Sequence, residues 1–454
     1  MPEVPAYAAY WRLAGEHQVS HEWLGLIALA VLFATIFIGF PIAFTLGAVA
    51  LGAGFIALGP VVFDLAVLQT YSVMKDTILA AIPFFLFMGF LLEQSGIMER
   101  MFNGIQQLLS GLNGSLYLAV LITATIFAAA TGIVGSAVTL LGVMAGPAMI
   151  KSGYDTKLSA GAIAAGGTLG ILIPPSVMLI VMGPVVGVPA TDLFTAAIIP
   201  GLLLASIFTA WCLVRCWINP ALGPVLPPEL RATSMTAVLK DLAIGVLPVI
   251  VVILSTLGVI LAGIATPTDA GAVGCAAVFV LTLGSGRMTL AKVRRAAYQT
   301  LEVSSMILML VVASNLFGAV FSRLGSADFL AGLLTGMNLP PMAMLIVILA
   351  VIFVLGWPLE WVPIVLIVLP IVLPIVQAAG IDMIWFCTLV AMTLQTAWLS
   401  PPVALSAYFL KGVVPQWPLK DIYAGMVQFM VLQLVGVGLV LLFPKLATWL
   451  GSAN

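Results

Sequence analysis

The sequence predicts an all-α polytopic membrane protein made of two inverted-topology repeats, each carrying a re-entrant helical hairpin and a helix broken at a Pro-Pro step. Three observations predict it. First, 63% of the 454 residues are hydrophobic, 7% are charged and the mean hydropathy is +1.24, a composition no soluble core and surface can have. Second, Pro174-Pro175 and Pro401-Pro402 interrupt apolar runs 227 positions apart, half the chain length, and the same separation relates Pro147 to Pro374, Gly153 to Gly380 and Asp155 to Asp382. Third, the Lys and Arg residues sort to one side of the membrane only if the second half lies upside down relative to the first.

Each element follows from the requirement of about 20 apolar residues per span. Residues 1–22 read as a polar, aromatic lead-in. No basic segment precedes the first apolar run and no small-residue cleavage site follows it, so an uncleaved first span is expected. Repeat 1, residues 23–218, reads as spans near 23–40 and 42–59, a loop to about 77, a span near 78–95 and an amphipathic stretch near 97–112. Next come a hairpin at 115–150, interrupted at Thr131-Gly132 and Gly135-Ser136, a broken helix at 157–187 and a span at 190–218. A polar linker, 219–240, is punctuated by Asn219-Pro220, Gly223-Pro224 and Pro227-Pro228. Repeat 2, residues 241–443, reads as spans at 241–262 and 264–284, a basic loop, a span at 301–322 and an amphipathic stretch at 325–338. It closes with a hairpin at 341–379, a broken helix at 383–411 and a span at 421–443. Residues 444–454 form a tail.

An apolar segment of this length with a central break could be two spans or one re-entrant hairpin, and charge decides for the hairpin. With hairpins, each half has an odd number of crossings. An outside N-terminus then puts Arg100, Lys151, Lys157, Arg215, Arg231, Lys240, Arg287, Lys292, Arg294, Arg295, Lys411 and Lys420 inside. Only Arg12, Lys75, Arg323 and Lys445 remain outside. Two full spans per segment would move Arg215, Arg231 and Lys240 to the wrong side.

Irregular backbone at mid-membrane depth is tolerated only where it is buried in protein or lines a polar cavity, so the hairpin tips and helix breaks mark the site. Half-helix ends offer carbonyls to a cation and half-helix starts offer N–H groups to a carboxylate. The first tip supplies Thr131, Gly132, Gly135 and Ser136, and the first break Gly166, Gly167, Thr168, Gly170 and Ser176. The second tip supplies Gly356, Trp357, Pro358 and Glu360, and the second break Gln395, Thr396, Ser400, Pro401 and Pro402. Small residues are also what close helix packing selects in membranes. Glu360 stands apart, because a carboxylate at this depth costs about 2.5–3.5 kcal/mol on insertion scales unless solvated or paired. Asp269, in Thr266-Pro267-Thr268-Asp269, reads as an interfacial cap, and Cys212 and Cys216, at i and i+4, as lipid-facing or packing residues. The net charge of −1 gives no basic face for nucleic acid. No P-loop is present, and an enzyme would need His, Cys or paired carboxylates at the breaks, whereas His17 and His21 precede the first span.

Three runs carry a family resemblance: Gly167-Thr168-Leu169-Gly170-Ile171-Leu172-Ile173-Pro174-Pro175-Ser176, Gly263-Ile264-Ala265-Thr266-Pro267-Thr268-Asp269-Ala270, and Leu394-Gln395-Thr396-Ala397-Trp398-Leu399-Ser400-Pro401-Pro402. They resemble the large membrane subunit of the tripartite ATP-independent periplasmic (TRAP) transporters, over residues 24 to 445 or so, and look most like the branch labelled mannitol/chloroaromatic type. The resemblance implies an elevator-type sodium symporter for an organic anion, a mono- or dicarboxylate such as a 2-oxo acid. Both hairpins and both broken helices would slide as a transport domain against a scaffold of the remaining spans. Carried over residue by residue, one sodium uses Gly132, Gly135 and Ser136 with Thr168 and Gly170. The other uses Gly356 and Pro358 with Thr396 and Ser400. Thr131, Gly167, Ser176, Glu360 and Gln395 are left to the anion. Many members have a Gly-Ser-Ser first tip where this chain has Gly135-Ser136-Ala137, which points to ligands drawn largely from backbone carbonyls. The amphipathic stretches resemble arm helices bracing the scaffold. The implied setting is the bacterial inner membrane with both termini periplasmic, and the implied partners are a small four-helix membrane subunit and a periplasmic substrate-binding protein. A stand-alone sodium/dicarboxylate symporter is the competing reading.

Overall fold

A computed structural model describes residues 6–227, 231, 234–284, 288–337, 339–357, 359–401 and 404–450, with side chains from residue 22 onward except at 334 and 335. In chain order the helices are α1 (Ala6–Ile38), α2 (Ile42–Leu58), α3 (Val61–Lys75), α4 (Ala81–Ser95), α5 (Ile97–Leu108), α6 (Ser115–Thr131), α7 (Val134–Lys151), α8 (Thr156–Leu172), α9 (Val177–Val186) and α10 (Ala190–Ile218). After the linker come α11 (Met235–Leu261), α12 (Pro267–Gly284), α13 (Leu290–Arg323), α14 (Ser326–Gly336), α15 (Pro341–Gly356), α16 (Trp361–Ala378), α17 (Met383–Gln395), α18 (Leu405–Val413), α19 (Leu419–Leu442) and α20 (Lys445–Thr448). Among the described residues all of this regular structure is helical.

The landmarks that repeat at 227 positions do the same structural work in both halves. Asp155 caps α8 by accepting from the Leu158 N–H at 2.8 Å, and Asp382 caps α17 by accepting from the Trp385 N–H at 2.7 Å. Pro147 sits inside α7 and Pro374 inside α16. Gly153 and Gly380 turn the chain into the capped helices at φ +70° and +67°, a conformation that favours glycine. Each hairpin therefore closes and each broken helix opens by the same local chemistry.

Seven described helices are long and apolar enough to cross a membrane, or nine if the bent pairs α4–α5 (60°) and α8–α9 (42°) each count as one. Two of the seven, α7 and α16, are second arms of the hairpins. Length alone would let them cross.

Close contacts divide the chain into two compact units, Met1–Asp76 with Ser305–Ile348 and Val362–Ile381, and Thr77–Ser304 with Leu349–Trp361 and Asp382–Asn454. In the first unit α1 lies against α14: the Ser326 hydroxyl donates to the Glu22 carbonyl at 2.9 Å, and Trp23 meets Phe329 with ring centres 5.9 Å apart. Gly54 of α2 admits Val62 and Val320 to its bare face.

The second unit is organised around α8, whose residues 158 to 172 are all buried. Glycines let its neighbours approach. A Cβ at Gly166 would come 3.1 Å from that of Ala124 on α6, and one at Gly167 would come 3.1 Å from the Val138 nitrogen on α7. On α19, Gly425 meets the Lys157 carbonyl, and a Cβ at Gly161 would lie 2.5 Å from the Phe429 ring. Helices in lipid associate through such small-residue contacts because no hydrophobic driving force separates one apolar surface from another. The amphipathic α5 buries Ile97, Met98, Met101, Phe102 and Ile105 and crosses α11 at Gly104 and Gly245. The start of the linker is tied to the base of the first hairpin: Tyr117 donates to the Leu222 carbonyl at 2.7 Å, Gly114 N–H to the Gly223 carbonyl at 2.8 Å and Asp155 N–H to the Leu222 carbonyl at 3.0 Å.

Several expected boundaries move. The region expected as a loop before residue 77 contains α3, started by Pro60 and burying Val62, Leu65 and Val73. Helix α1 begins at Ala6 within the expected lead-in, α11 begins at Met235 within the expected linker, and α13 begins at Leu290 within the expected basic loop. Hydropathy marks where a helix is apolar. Backbone hydrogen bonding continues beyond that point wherever charged side chains such as Lys240, Lys292 and Arg295 can stay solvated. Cys212 and Cys216 are both buried, so the packing alternative holds and the lipid-facing one does not. The cap at the start of α12 is Thr266 rather than Asp269: the Thr266 hydroxyl accepts from the Asp269 N–H at 3.2 Å and donates to the Asp269 carboxylate at 2.6 Å, so the acid holds the cap in place.

Candidate functional site

Pro-Pro steps do more than bend a helix. An α-helical carbonyl at position i pairs with the N–H at i+4, and proline has none. Pro174 and Pro175 therefore strip the partners from the Gly170 and Ile171 carbonyls, and Pro401 and Pro402 strip them from Ala397 and Trp398. Gly170 and Ala397 are themselves 227 positions apart.

The two hairpin tips come to these two residues. At the first tip Gly132 adopts φ +63°, and a Cβ there would lie 3.2 Å from the Pro175 carbonyl oxygen and 3.7 Å from that of Gly170. At the second, a Cβ on Gly356, the last residue of α15, would lie 3.4 Å from that of Ala397. Each tip thus ends beside the middle of a broken helix, as a re-entrant hairpin must. All these residues belong to the second compact unit. Pro358 and Pro402 lie outside the described residues.

The expected hydroxyls sit at the breaks with their protons already committed. Thr168 donates to the Ala165 carbonyl at 2.8 Å, Thr396 to Thr393 at 2.5 Å and Ser400 to Thr396 at 2.7 Å, and all three residues are fully buried. Thr131 donates to the Phe127 carbonyl at 3.2 Å. A hydroxyl whose hydrogen is held by a helix carbonyl keeps its oxygen lone pairs, the arrangement a desolvated cation needs. Ser176 differs. It donates to the Ile171 carbonyl and accepts from the Leu179 N–H at 3.4 Å, so it takes up one orphaned carbonyl and caps α9. Gly167 faces Val138, and helix packing accounts for its missing side chain.

Gln395, the last residue of α17, accepts from Gln433 Nε2 of α19 at 2.5 Å, while the same Nε2 donates to the Met392 carbonyl at 2.9 Å. Both amides are fully buried. The Met392 carbonyl fixes which end of Gln433 is nitrogen, and Gln433 then fixes Gln395 with its own NH2 free to donate elsewhere. A Cβ at Gly135 would lie 3.0 Å from the Phe409 ring, and Phe409 stacks on Trp398 with centres 6.4 Å apart, so the first tip and second break share an aromatic wall. Glu360 is half-buried and follows the second tip between Leu359 and Trp361. Ser136 donates to the Glu93 carboxylate of α4.

Four participants escaped the sequence reading. Ala397 could have been found by counting four residues back from Pro401. Pro175 contributes its carbonyl through the bend. Gln433 and Glu93 lie 38 and 43 positions from their partners, beyond any local signal. Among the described residues of the tips and breaks there is no Lys, Arg or His, and among the described residues of the chain no cluster of three or more His, Cys, Asp or Glu could hold a metal ion. The arrangement suits a small cation held by neutral oxygens, with any organic anion meeting backbone and amide N–H groups.

The family model described as tripartite ATP-independent periplasmic transporter, DctM component, matches residues 29–446. The C4-dicarboxylate TRAP transporter large permease protein DctM of Rhodobacter capsulatus is 29% identical over 86% of this chain and 90% of its own length. The sialic acid TRAP transporter large permease protein SiaM of Vibrio cholerae is 28% identical over 93% and 95%. The 2,3-diketo-L-gulonate TRAP transporter large permease protein YiaN of Escherichia coli is 28% identical over 86% and 90%. In three dimensions the chain is similar to the crystal structure of the Alcanivorax borkumensis YdaH transporter, with a TM-score of 0.62 over 96% of this chain and 98% of that one. At 15% identity this is a likeness of fold alone.

Proposed function

Because the chain belongs to the DctM component family of the tripartite ATP-independent periplasmic transporters, we propose that it is the translocating subunit of a sodium-coupled, elevator-type importer of an organic anion. A periplasmic binding protein delivers the cargo and a small four-helix membrane subunit completes the scaffold. The chain is a multi-pass membrane protein of a transporter family. In this reading it sits in the bacterial inner membrane with both termini in the periplasm, the orientation that leaves twelve of sixteen Lys and Arg inside.

The observation that carries the reading is the paired geometry of tips and breaks. At equivalent positions in the two halves a proline frees a carbonyl, and at each of them a hairpin tip closes against the freed residue. Gly132, Gly135, Ser136, Thr168 and Gly170 hold one sodium, and Gly356, Pro358, Thr396 and Ser400 hold the other. Thr131, Glu360 and Gln395 serve the anion, whereas Gly167, packed on Val138, and Ser176, committed as the cap of α9, are withdrawn from that role. Gln395 is the best suited of these, since its oriented NH2 complements a carboxylate. With no cationic side chain at the site, the cargo's negative charge is offset by the co-bound sodium, which makes coupling a matter of electrostatics. Relatives are named for C4-dicarboxylates, sialic acid and 2,3-diketo-L-gulonate, which are carboxylic acids, and one for isethionate, a sulfonate; all are organic anions, and a carboxylate is the cargo proposed here.

The test is uptake by proteoliposomes holding both membrane subunits, with binding protein and labelled 2-oxo acids or dicarboxylates supplied outside. Uptake should need an inward sodium gradient and survive collapse of the proton gradient. Proton-driven uptake indifferent to sodium would refute the reading. Transport without any binding protein would favour the stand-alone symporter.

A further inference from the structure

We propose that Glu93 is a positioning residue for the first cation site, acting through the Ser136 hydroxyl only while the hairpin tip lies beside α4; this rests on the sodium reading above. Gly89 and Glu93 are one turn apart on the same face of α4, and both meet the first hairpin. The missing side chain at Gly89 lets Thr131 approach, so that an added Cβ would stand 3.2 Å from the Thr131 Cα. That approach brings Ser136 to the carboxylate, which accepts its hydrogen bond.

A carboxylate two residues from the end of a membrane helix needs a reason to persist. Glu93 is half-buried and borders a cavity of about 550 Å³ that it shares with Gln94, Glu99, Asn103, Lys292 and the α7 residue Met144. Among the described residues, the charged groups that line this cavity with it are Lys292 on α13 and Glu99 on α5. None comes from the hairpin, whose side of the contact is the neutral Ser136.

Donation to an ionised acceptor is stronger than donation to a neutral one, and it leaves more negative charge on the donor oxygen. Ser136 bonded to Glu93 is therefore a better sodium ligand than Ser136 bonded to water or to a helix carbonyl. In the elevator reading α4 is scaffold and the hairpin travels. The contact then exists in one position of the elevator and breaks in the other, so movement of the hairpin changes the affinity of the first site. Position and ion occupancy are linked through one hydrogen bond.

The experiment is sodium titration of uptake by the complete complex carrying Glu93→Gln, which keeps an acceptor oxygen and removes the charge. The half-saturating sodium concentration should rise about tenfold, the lower range for loss of an outer-shell partner, with the cargo KM at saturating sodium unchanged. In a Ser136→Ala background the same substitution should add nothing. A sodium-dependent wild type beside a Glu93→Gln variant that titrates identically would overturn the proposal alone, as would an undiminished effect in the Ser136→Ala background. Wild-type uptake indifferent to sodium would remove the underlying reading, and this proposal with it. If Glu93→Gln fails to assemble, Gly89→Ala decides, because it pushes Thr131 off α4 and leaves the carboxylate in place. It should also raise the sodium requirement, and an unchanged titration overturns the proposal.

Discussion

Replacing Gly132 with alanine separates backbone strain from damage to the first site, because the structure supplies a matched control. Gly132 and Gly153 share the left-handed conformation, at φ +63° and +70°. An L-residue there costs about 1–2 kcal/mol whatever its surroundings. The surroundings differ completely. A Cβ at Gly153 meets nothing within 4 Å, whereas one at Gly132 stands 3.2 Å from the Pro175 carbonyl oxygen and 3.7 Å from that of Gly170. Relief at Gly132 requires the tip and the break to part by a few tenths of an ångström, more than the roughly 0.2 Å tolerance of a metal–oxygen distance. Weakening one ligand by about 1.4 kcal/mol is tenfold in affinity. Both variants should lose similar thermal stability in detergent, and only Gly132→Ala should raise the half-saturating sodium concentration for uptake, by about tenfold. Equal sodium titration of the two variants would refute the argument that the first tip and first break form an ion site.

Ser136→Ala and Thr168→Val should each raise the sodium requirement more than they lower the melting temperature; unchanged sodium curves would return both hydroxyls to packing. Asp155→Ala and Asp382→Ala should each cost about 1 kcal/mol as lost helix caps, read as matching falls in melting temperature, and a large effect at only one would contradict their equivalence. Gly161→Leu should prevent assembly, since the Phe429 ring and the Gly425 backbone already occupy that space, and a stable, monodisperse Gly161→Leu variant would show the crossing is misjudged. Tyr117→Phe should lose about 1 kcal/mol with the bond to the Leu222 carbonyl and leave sodium dependence intact, so a shifted sodium curve would mean that the linker reaches the site.

The hairpins and broken helices were legible because their signals are short-range. Asp155 and Asp382 reach the N–H three residues on, and Pro174 and Pro401 act on the carbonyls four residues back. The polar extensions of α11 and α13 and the short helix α3 were not legible from hydropathy, which follows side-chain transfer energy, whereas a helix ends where its backbone bonds end. The resemblance named residues that lie at the tips and breaks, but it could not separate Thr168, whose oxygen stays available, from Ser176, which is spent as a cap, or Gly132 from Gly167, which packs on Val138.

By itself the sequence determined that this chain lives in a membrane, that it is built twice from one pattern, and where each helix must come apart. Those properties follow from composition and from proline's missing N–H, and each can be read within a few residues. Only the tertiary structure decided that Gly132 comes to Gly170 and Pro175, Gly356 to Ala397, Gln433 to Gln395 and Glu93 to Ser136. Such pairings depend on how far each helix is rotated and advanced against its neighbours, and that register is set by the summed packing of glycine faces along α4, α8 and α19 rather than by any residue alone.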